Sequence, residues 1–273
     1  MLNLGWFSTG RGEGSRKLLS FIQGHIASGE LPAQIEFVFC NREPSEAEGS
    51  DQFHALVHSY GIPLVILSSE RFRREHGARR FDQVREQFDA EVIRRLQEFQ
   101  PGIIVLAGYM LFTAAELCSR YNLLNLHPAP PGGPVGTWQQ IVWDLIEHHK
   151  RESGIQLQLA TMDWDHGPLI SYCTFPIDGP EFAPLWQQVA GKGVEELKAA
   201  YWEDLPLFQA IRQEGQRREA PLLLETLRAI TQGDVAIRNR HVVDRQGQPI
   251  AGHCLDRQVA DWLRAHPEGG LSA

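Results

Sequence analysis

The first hundred residues alternate between two hydrophobic periods. "LNLGWFS" (2–8), "QIEFVFC" (34–40), "IPLVILS" (62–68) and "IIVLAG" (103–108) are short apolar runs. They read as strands, and the last, apolar throughout, has the pattern of a central parallel strand covered on both faces. Between them, "SRKLLSFIQGHIASG" (15–29) carries Leu and Ile at helical spacing and stops at Gly29. "SEAEGSDQFHALVHSYG" (45–61) reads as a helix closed by Gly61. "FDQVREQFDAEVIRRLQEFQ" (81–100) reads as one long amphipathic helix stopped by Pro101-Gly102. Strand and helix in strict alternation predict an open, mostly parallel α/β sheet of Rossmann type, with helices on both faces. Its ligand crevice is expected beyond the carboxyl ends of the strands.

The second half predicts a short helix at "LFTAAELCSRY" (111–121), a fifth strand at "NLLNLH" (122–127) and a helix N-capped by Thr137. "GIQLQLATMDW" (154–164) alternates apolar and polar residues, which predicts a half-exposed strand. "GPLISYCTFPI" (167–177) is its expected antiparallel partner, so antiparallel strands belong to the C-terminal half. Residues 181–216 are helical and highly charged, and "EAPLLLETLRAITQG" (219–233) reads as a further helix. "VAIRNRHVVDRQGQPIAG" (235–252) predicts a hairpin turning at Gln246-Gly247. "ERFRREHGARR" (70–80) reads as a solvated linker.

Composition narrows the class. The chain has 273 residues and a net charge of −8 with histidines neutral. That acidity disfavours a broad nucleic-acid face. Cys40, Cys118, Cys173 and Cys254 are widely spaced, without a CxxC pair, and read as reduced thiols rather than disulfides or a zinc site. No metal is expected. The N-terminus lacks a signal-peptide pattern and no apolar run is long enough for a membrane helix, so a cytoplasmic protein is expected.

Three stretches could carry chemistry. "STGRGEGSR" (8–16) joins the first strand to the first helix. It is either a tight turn or a loop where glycines and helix N–H groups meet an anion, with Arg11, Arg16 and Lys17 beside it. Asn125 and His127 alternate across Leu126 and leave one strand face. They are either a polar strand end with satisfied hydrogen bonds, or an oxyanion donor and a proton carrier. Asp163 and Asp165 in "MDWDHGP" (162–168) suit an ordinary turn. Alternatively the turn folds back over the fifth strand and sets a carboxylate beside His127, orienting the imidazole.

Asn-x-His-Pro after the fifth strand, the later Asp-x-Gly-Pro at residues 165–168, and "VLAGYM" closing the fourth strand are together a pattern. It resembles the folate-dependent formyltransferases, in particular the glycinamide ribonucleotide transformylases of purine synthesis. The resemblance runs from about residue 2 to residue 177 and resumes more weakly at 217–255. It implies a single formyltransferase-type domain over 1–273. Residues 1–110 would be the phosphate-binding half. Residues 111–273 would be the catalytic and folate half, with a helical insertion at about 178–216. It implies formyl transfer from 10-formyltetrahydrofolate, as co-substrate and without a metal, to a primary amine such as glycinamide ribonucleotide.

Asn125, His127 and Asp165 would then be the catalytic triplet. Gly12, Gly14, Ser15 and Arg16 would hold the substrate phosphate. Leu106, Ala107, Gly108, Tyr109 and Met110, with Met162, Asp163 and Trp164, would hold the folate. Gln216 or Glu219 would meet the acceptor's ribose. The chain departs from the family pattern at "GEGSRK" (12–17), at Leu111 and at "APPGGPVGTW" (129–138), which lies beside the acceptor. Those departures keep open another amine acceptor, such as an amino sugar nucleotide. A formate-releasing hydrolase and a non-catalytic folate-binding protein are further readings. Small-molecule substrates, rather than nucleic acid or membranes, are the expected partners, and the sequence is silent on a homo-oligomer.

Overall fold

The computed structural model describes residues 1–163 and 165–267. Its first half runs β1 (Leu2–Ser8), α1 (Glu13–Ala27), β2 (Ala33–Cys40), α2 (Glu48–Ser59), β3 (Leu64–Ile66), α3 (Ser69–Glu75), α4 (Arg85–Arg95) and β4 (Ile103–Leu106). It continues with α5 (Ala115–Arg120), β5 (Leu123–His127), α6 (Trp138–Glu147), β6 (Glu152–Leu159) and β7 (Leu169–Pro176). α7 (Ala183–Val189), α8 (Val194–Tyr201), α9 (Pro206–Gln232), β8 (Val235–Arg238), β9 (His241–Asp244), β10 (His253–Cys254) and α10 (Asp256–Ala265) complete it.

Eight strands form one sheet in the order β10-β7-β6-β5-β4-β1-β2-β3. β5–β6 and β6–β7 pair antiparallel, and the other neighbours are parallel. From β1 the chain winds outward through β2 and β3, then returns to β4 on β1's other side. β1 and β4 therefore flank a topological switch point, where the two windings leave a crevice at the carboxyl ends of the strands. Side chains alternate across β1 to feed both faces. Leu4 and Trp6 join the core under α1, α2, α6, α9 and α10, whereas Phe7 joins the aromatic core under α4 and α5. Gly5 lies between them because a Cβ there would meet the Phe37 ring at 2.6 Å and Ile104 at 2.8 Å.

The predicted α/β sheet is present, with local corrections. The expected long helix over 81–100 is broken: Phe81–Gln83 form a 3₁₀ turn and α4 begins only at Arg85. The Gln83 side-chain oxygen accepts from the N–H groups of Arg79 and Arg80, which fastens the turn locally. The expected linker at 70–80 contains α3, capped by Ser68 Oγ accepting from Arg71 N at 3.0 Å. β6 is not half-exposed, since every residue from Ser153 to Leu159 is buried. α9 packs on one of its faces, and Gln158 looks into the crevice.

The hairpin of β8 and β9 turns at Asn239-Arg240, both with positive φ, not at Gln246-Gly247. The Arg240 guanidinium donates to the Cys118 and Ala160 carbonyls and fixes that turn to the body. Gly247 makes a second reversal, where Asp244 Oδ1 accepts from the N–H groups of Gln246 and Gln248. Residues 206–216, expected inside the helical insertion, are instead continuous with the following helix as α9.

Candidate active site

A cleft of about 1350 Å³ opens at the switch point. Its floor is the carboxyl end of β4 and β5, and its walls come from α1, α6 and α9, with residues 157–161 at the end of β6. That exceeds the roughly 300–1,000 Å³ of a typical single-ligand site.

Asn125 and His127 leave the same face of β5, as their spacing predicts, and Asp165 folds back over that strand end. Asp165 Oδ1 lies 3.3 Å from His127 Nδ1 and accepts from Asn125 Nδ2 at 3.4 Å. The His127 and Asp165 side chains are 4% and 10% exposed, so little solvent screens their interaction. Asp165 reaches this place through a left-handed backbone turn, φ 56°, which Asp tolerates because its short side chain bonds locally. The far nitrogen of His127, Nε2, lies 3.1 Å from the Pro134 carbonyl in the loop 128–137. A ring that meets oxygen acceptors at both nitrogens donates to both only when doubly protonated. The same loop gives Gly136 N–H to Asp165 Oδ2 at 3.4 Å.

Gln158 is a site residue that the strand pattern concealed. It lines the cleft, is 3% exposed, and its Nε2 donates to Asp165 Oδ1 at 3.2 Å. Its polarity within "GIQLQLA" suggested solvent. A glutamine facing another strand's Asn and His was the signal for a polar cleft instead.

Gly12, Gly14 and Ser15 line one end of the cleft at the start of α1. The N-cap there is Gly12, whose lack of a side chain leaves the first helix N–H groups without a side-chain partner. Arg16 does not line the cleft: it donates to the Gly49 carbonyl at the start of α2 at 3.2 Å. Lys17 lines the cleft in its place, within 3.3 Å of Glu13. Opposite stand Arg212, Gln216, Arg217 and Glu219 of α9, so both residues expected near the ribose border the cleft. Arg212 pairs with Glu219 at 2.9 Å and lies 4.7 Å over the Trp138 ring.

At the other end Leu106, Ala107, Gly108, Tyr109 and Met110 all line the cleft, followed by Leu111, Phe112 and Thr113. Gly108 accepts from Thr9 N–H, and Thr9 Oγ1 accepts from Met110 N–H, both at 3.1 Å, so this shelf is tied to the glycine loop. Met110 and Phe112 are 77% and 46% exposed and form an apolar rim. The Tyr109 ring is packed against Phe7 and Phe39, and burial holds its phenol well above the ordinary range. Met162 and Asp163 lie beside the cleft rather than in its lining: Met162 is 58% exposed and the Asp163 carbonyl accepts from Thr161 Oγ1. Residues 157–161 line that wall instead, because the chain leaves β6 before the turn. Trp164 lies outside the described residues.

Among the described residues no group of three or more His, Cys, Asp or Glu has the arrangement of a metal site. All four cysteines are free, and burial pushes the Cys40 thiol up to about 11 and Cys173 to about 12, as for inert core thiols. No helix among the described residues is long and apolar enough to cross a membrane.

Comparison with known proteins gives the family. Two curated relatives are phosphoribosylglycinamide formyltransferases. The protein of Escherichia coli (strain K12) is 32% identical over 97 residues, covering 34% of this chain and 44% of its own. That of Schizosaccharomyces pombe is 26% identical over 129 residues, covering 45% and 57%. The chain thus spans about half the length of the curated relatives it matches. The solved phosphoribosylglycinamide formyltransferase of Coxiella burnetii shares the fold at a TM-score of 0.65 and 22% identity, over 93% of this chain and 98% of that one. A formyltetrahydrofolate deformylase of Pseudomonas syringae pv. tomato shares it at 0.61 and 18% identity, over 89% and 65%. The sequence profile of the formyl transferase family matches residues 13–183 and so takes in β4, β5, the loop 128–137 and the Asp165 turn. With more than half of its residues inside that profile and its polar triplet at the switch point, the chain belongs to the formyl transferase family.

Proposed function

We propose that the protein transfers a formyl group from 10-formyltetrahydrofolate to a primary amine, and that the amine is glycinamide ribonucleotide of purine synthesis. One observation carries the reading: Asp165 Oδ1 lies within 3.4 Å of both Asn125 Nδ2 and His127 Nδ1 in a cleft of about 1350 Å³. The names of the curated relatives support the acceptor.

In this reading the amine nitrogen bonds to the formyl carbon and the bond from that carbon to folate N10 breaks. The amine gives up one proton and N10 gains one. Negative charge gathers on the formyl oxygen in between. Asn125 Nδ2 and His127 supply donors to that oxygen, a role worth about 10²–10³-fold per donor in other enzymes. Asp165 orients His127 and takes part in moving the proton. Since Pro134 O now holds His127 Nε2, the loop 128–137 has to withdraw before that nitrogen serves a substrate. The shelf from Leu106 to Phe112 suits a flat pterin ring, with backbone groups for its polar edge and Met110 and Phe112 for its faces. The start of α1, with Lys17, suits the acceptor phosphate. The half up to residue 110 thus contributes phosphate binding, and the rest the catalytic triplet and the acceptor wall on α9.

The test is a mass-spectrometric assay of the purified protein with 10-formyltetrahydrofolate and glycinamide ribonucleotide, beside a folded Asp165→Ala control. Formylated ribonucleotide from the wild type alone is the expected result. Formate without formylated amine would replace the transferase by a hydrolase, and folate binding without either product would move the search to other amines.

A further inference from the structure

The proposed chemistry gives no task to Gln158, yet the fold invests in it. β6 pairs antiparallel with β5, and Gln158 lies directly opposite Asn125 in that ladder. Directly opposed residues share a sheet face, so its side chain enters the cleft beside the triplet. On the other side the ladder between β6 and β7 slips between Leu157 and Gln158, where β7 contributes Ile170 as an extra residue. Irregularities of this kind re-aim side chains next to active sites.

Asp165 needs such a partner. It sits outside regular structure in a left-handed turn, whereas Asn125 and His127 are fixed by their strand. Gln158 Nε2 reaches Asp165 Oδ1 at 3.2 Å, the shorter of the two side-chain amide contacts to that oxygen. A carboxamide keeps its N–H at every pH the protein withstands. It therefore holds the carboxylate whether or not His127 has given up a proton.

We propose that Gln158 is a positioning residue that anchors Asp165 Oδ1 against His127 throughout the formyl transfer. The inference rests on the formyl-transfer reading above. A hydrogen bond to a charged group is worth enough to change turnover by about 10- to 100-fold. Gln158→Leu keeps the bulk and removes the donor. Gln158→His offers a ring N–H as many bonds from Cβ as the amide nitrogen.

Steady-state kinetics and thermal melts of the wild type and both variants test it. The expected result is a kcat loss of about 10- to 100-fold in Gln158→Leu, with both KM values and the melting temperature little changed, and substantial recovery in Gln158→His. Wild-type turnover with an unchanged kcat in Gln158→Leu would overturn the positioning role. So would equal losses in Leu and His variants that track a lowered melting temperature, since that is the mark of a structural residue. A wild type that forms no formylated product would instead overturn the parent reading, and the role with it.

Discussion

Replacing Asp165 by Asn isolates charge from shape. The variant keeps one side-chain oxygen for the donors of Asn125, Gln158 or Gly136, which stand 3.2 to 3.4 Å from the carboxylate. What disappears is the negative charge 3.3 Å from His127 Nδ1. Two unit charges at that separation attract by about 5 kcal/mol at an effective dielectric of about 20. Fully expressed in the transition state, that is between 10³- and 10⁴-fold in rate. The range of about 10²–10⁴ for a positioned acid or base brackets it. Turnover should therefore fall by about 10³-fold.

The assay needs kcat, both KM values and a urea unfolding curve. Folding should change by about 1 kcal/mol, because one oxygen still accepts and only one oxygen-for-amide exchange is made. The KM for the folate should hold, because the carboxylate faces His127 and not the shelf at 106–112. A folded Asp165→Asn enzyme with kcat within tenfold of wild type would refute the reasoning. It would mean that the carboxylate serves the turn and not the chemistry.

Asp89 gives a test that does not depend on activity. Burial raises its carboxyl from 3.8 to about 6, against the opposing hydrogen bond from Ala114 N. A raised folded-state value contributes stability at low pH that is lost as pH rises through about 6, here about 3 kcal/mol in all. Urea unfolding at pH 4.5 and 7.5 should show about 2 kcal/mol of that loss in the wild type, and Asp89→Asn should flatten it. Gly108→Ala places a Cβ 2.4 Å from Ser15 Oγ at a φ of +68°; it should cost about 1–2 kcal/mol of stability and raise the acceptor KM, read by melting and kinetics. Arg16→Ala should leave acceptor KM within about twofold, because its guanidinium serves the Gly49 carbonyl; a tenfold rise would return Arg16 to the phosphate site.

Much of this was legible from the chain because it rests on local signals. Short apolar runs and period-3.6 patterns marked the parallel strands and their helices, and Thr137 marked the start of α6, where it accepts from Gln140 N. Asn125 and His127 share a face by strand geometry alone. Asp165 needed the resemblance, since nothing local says that its turn folds over β5. Contacts made through tertiary structure stayed hidden. Arg16 and Lys17 are adjacent cations at a helix start, and only the packing of α2 decides which of them turns from the cleft. The alternation in β6 was read correctly as two faces and wrongly as one wet face, because the polar face borders a cleft. The sequence placed the hairpin turn at Gln246-Gly247, whereas the strands are joined at Asn239-Arg240, where Arg240 donates to the Cys118 and Ala160 carbonyls.

The loop 128–137 and residues 206–216 border the cleft on its α6 and α9 side, whereas Leu111, a further departure from the family pattern, stands in the 106–112 shelf. Loop 128–137 touches His127 and Asp165 through Pro134 and Gly136. Residues 178–216 end inside α9, whose Arg212 reaches across to Trp138 and Glu219. Gln139 at the start of α6 donates to Glu203 in the same inserted stretch at 3.3 Å. The Arg212 and Gln139 contacts lie along the α6 and α9 wall, the proposed acceptor side. The triplet and the 106–112 shelf stay on β4, β5 and the Asp165 turn, inside the span that matches the family. On the proposed reading, the 106–112 shelf serves the formyl donor and the α9 wall the acceptor. A change on the α9 wall should then act on the amine and leave the triplet in place. Arg212→Met should accordingly raise the acceptor KM by about tenfold or more, as expected for loss of a charged pair beside the ligand, with folate KM and kcat within about twofold. A matching fall in kcat would mean that the two sides are mechanically coupled through α6 and the loop.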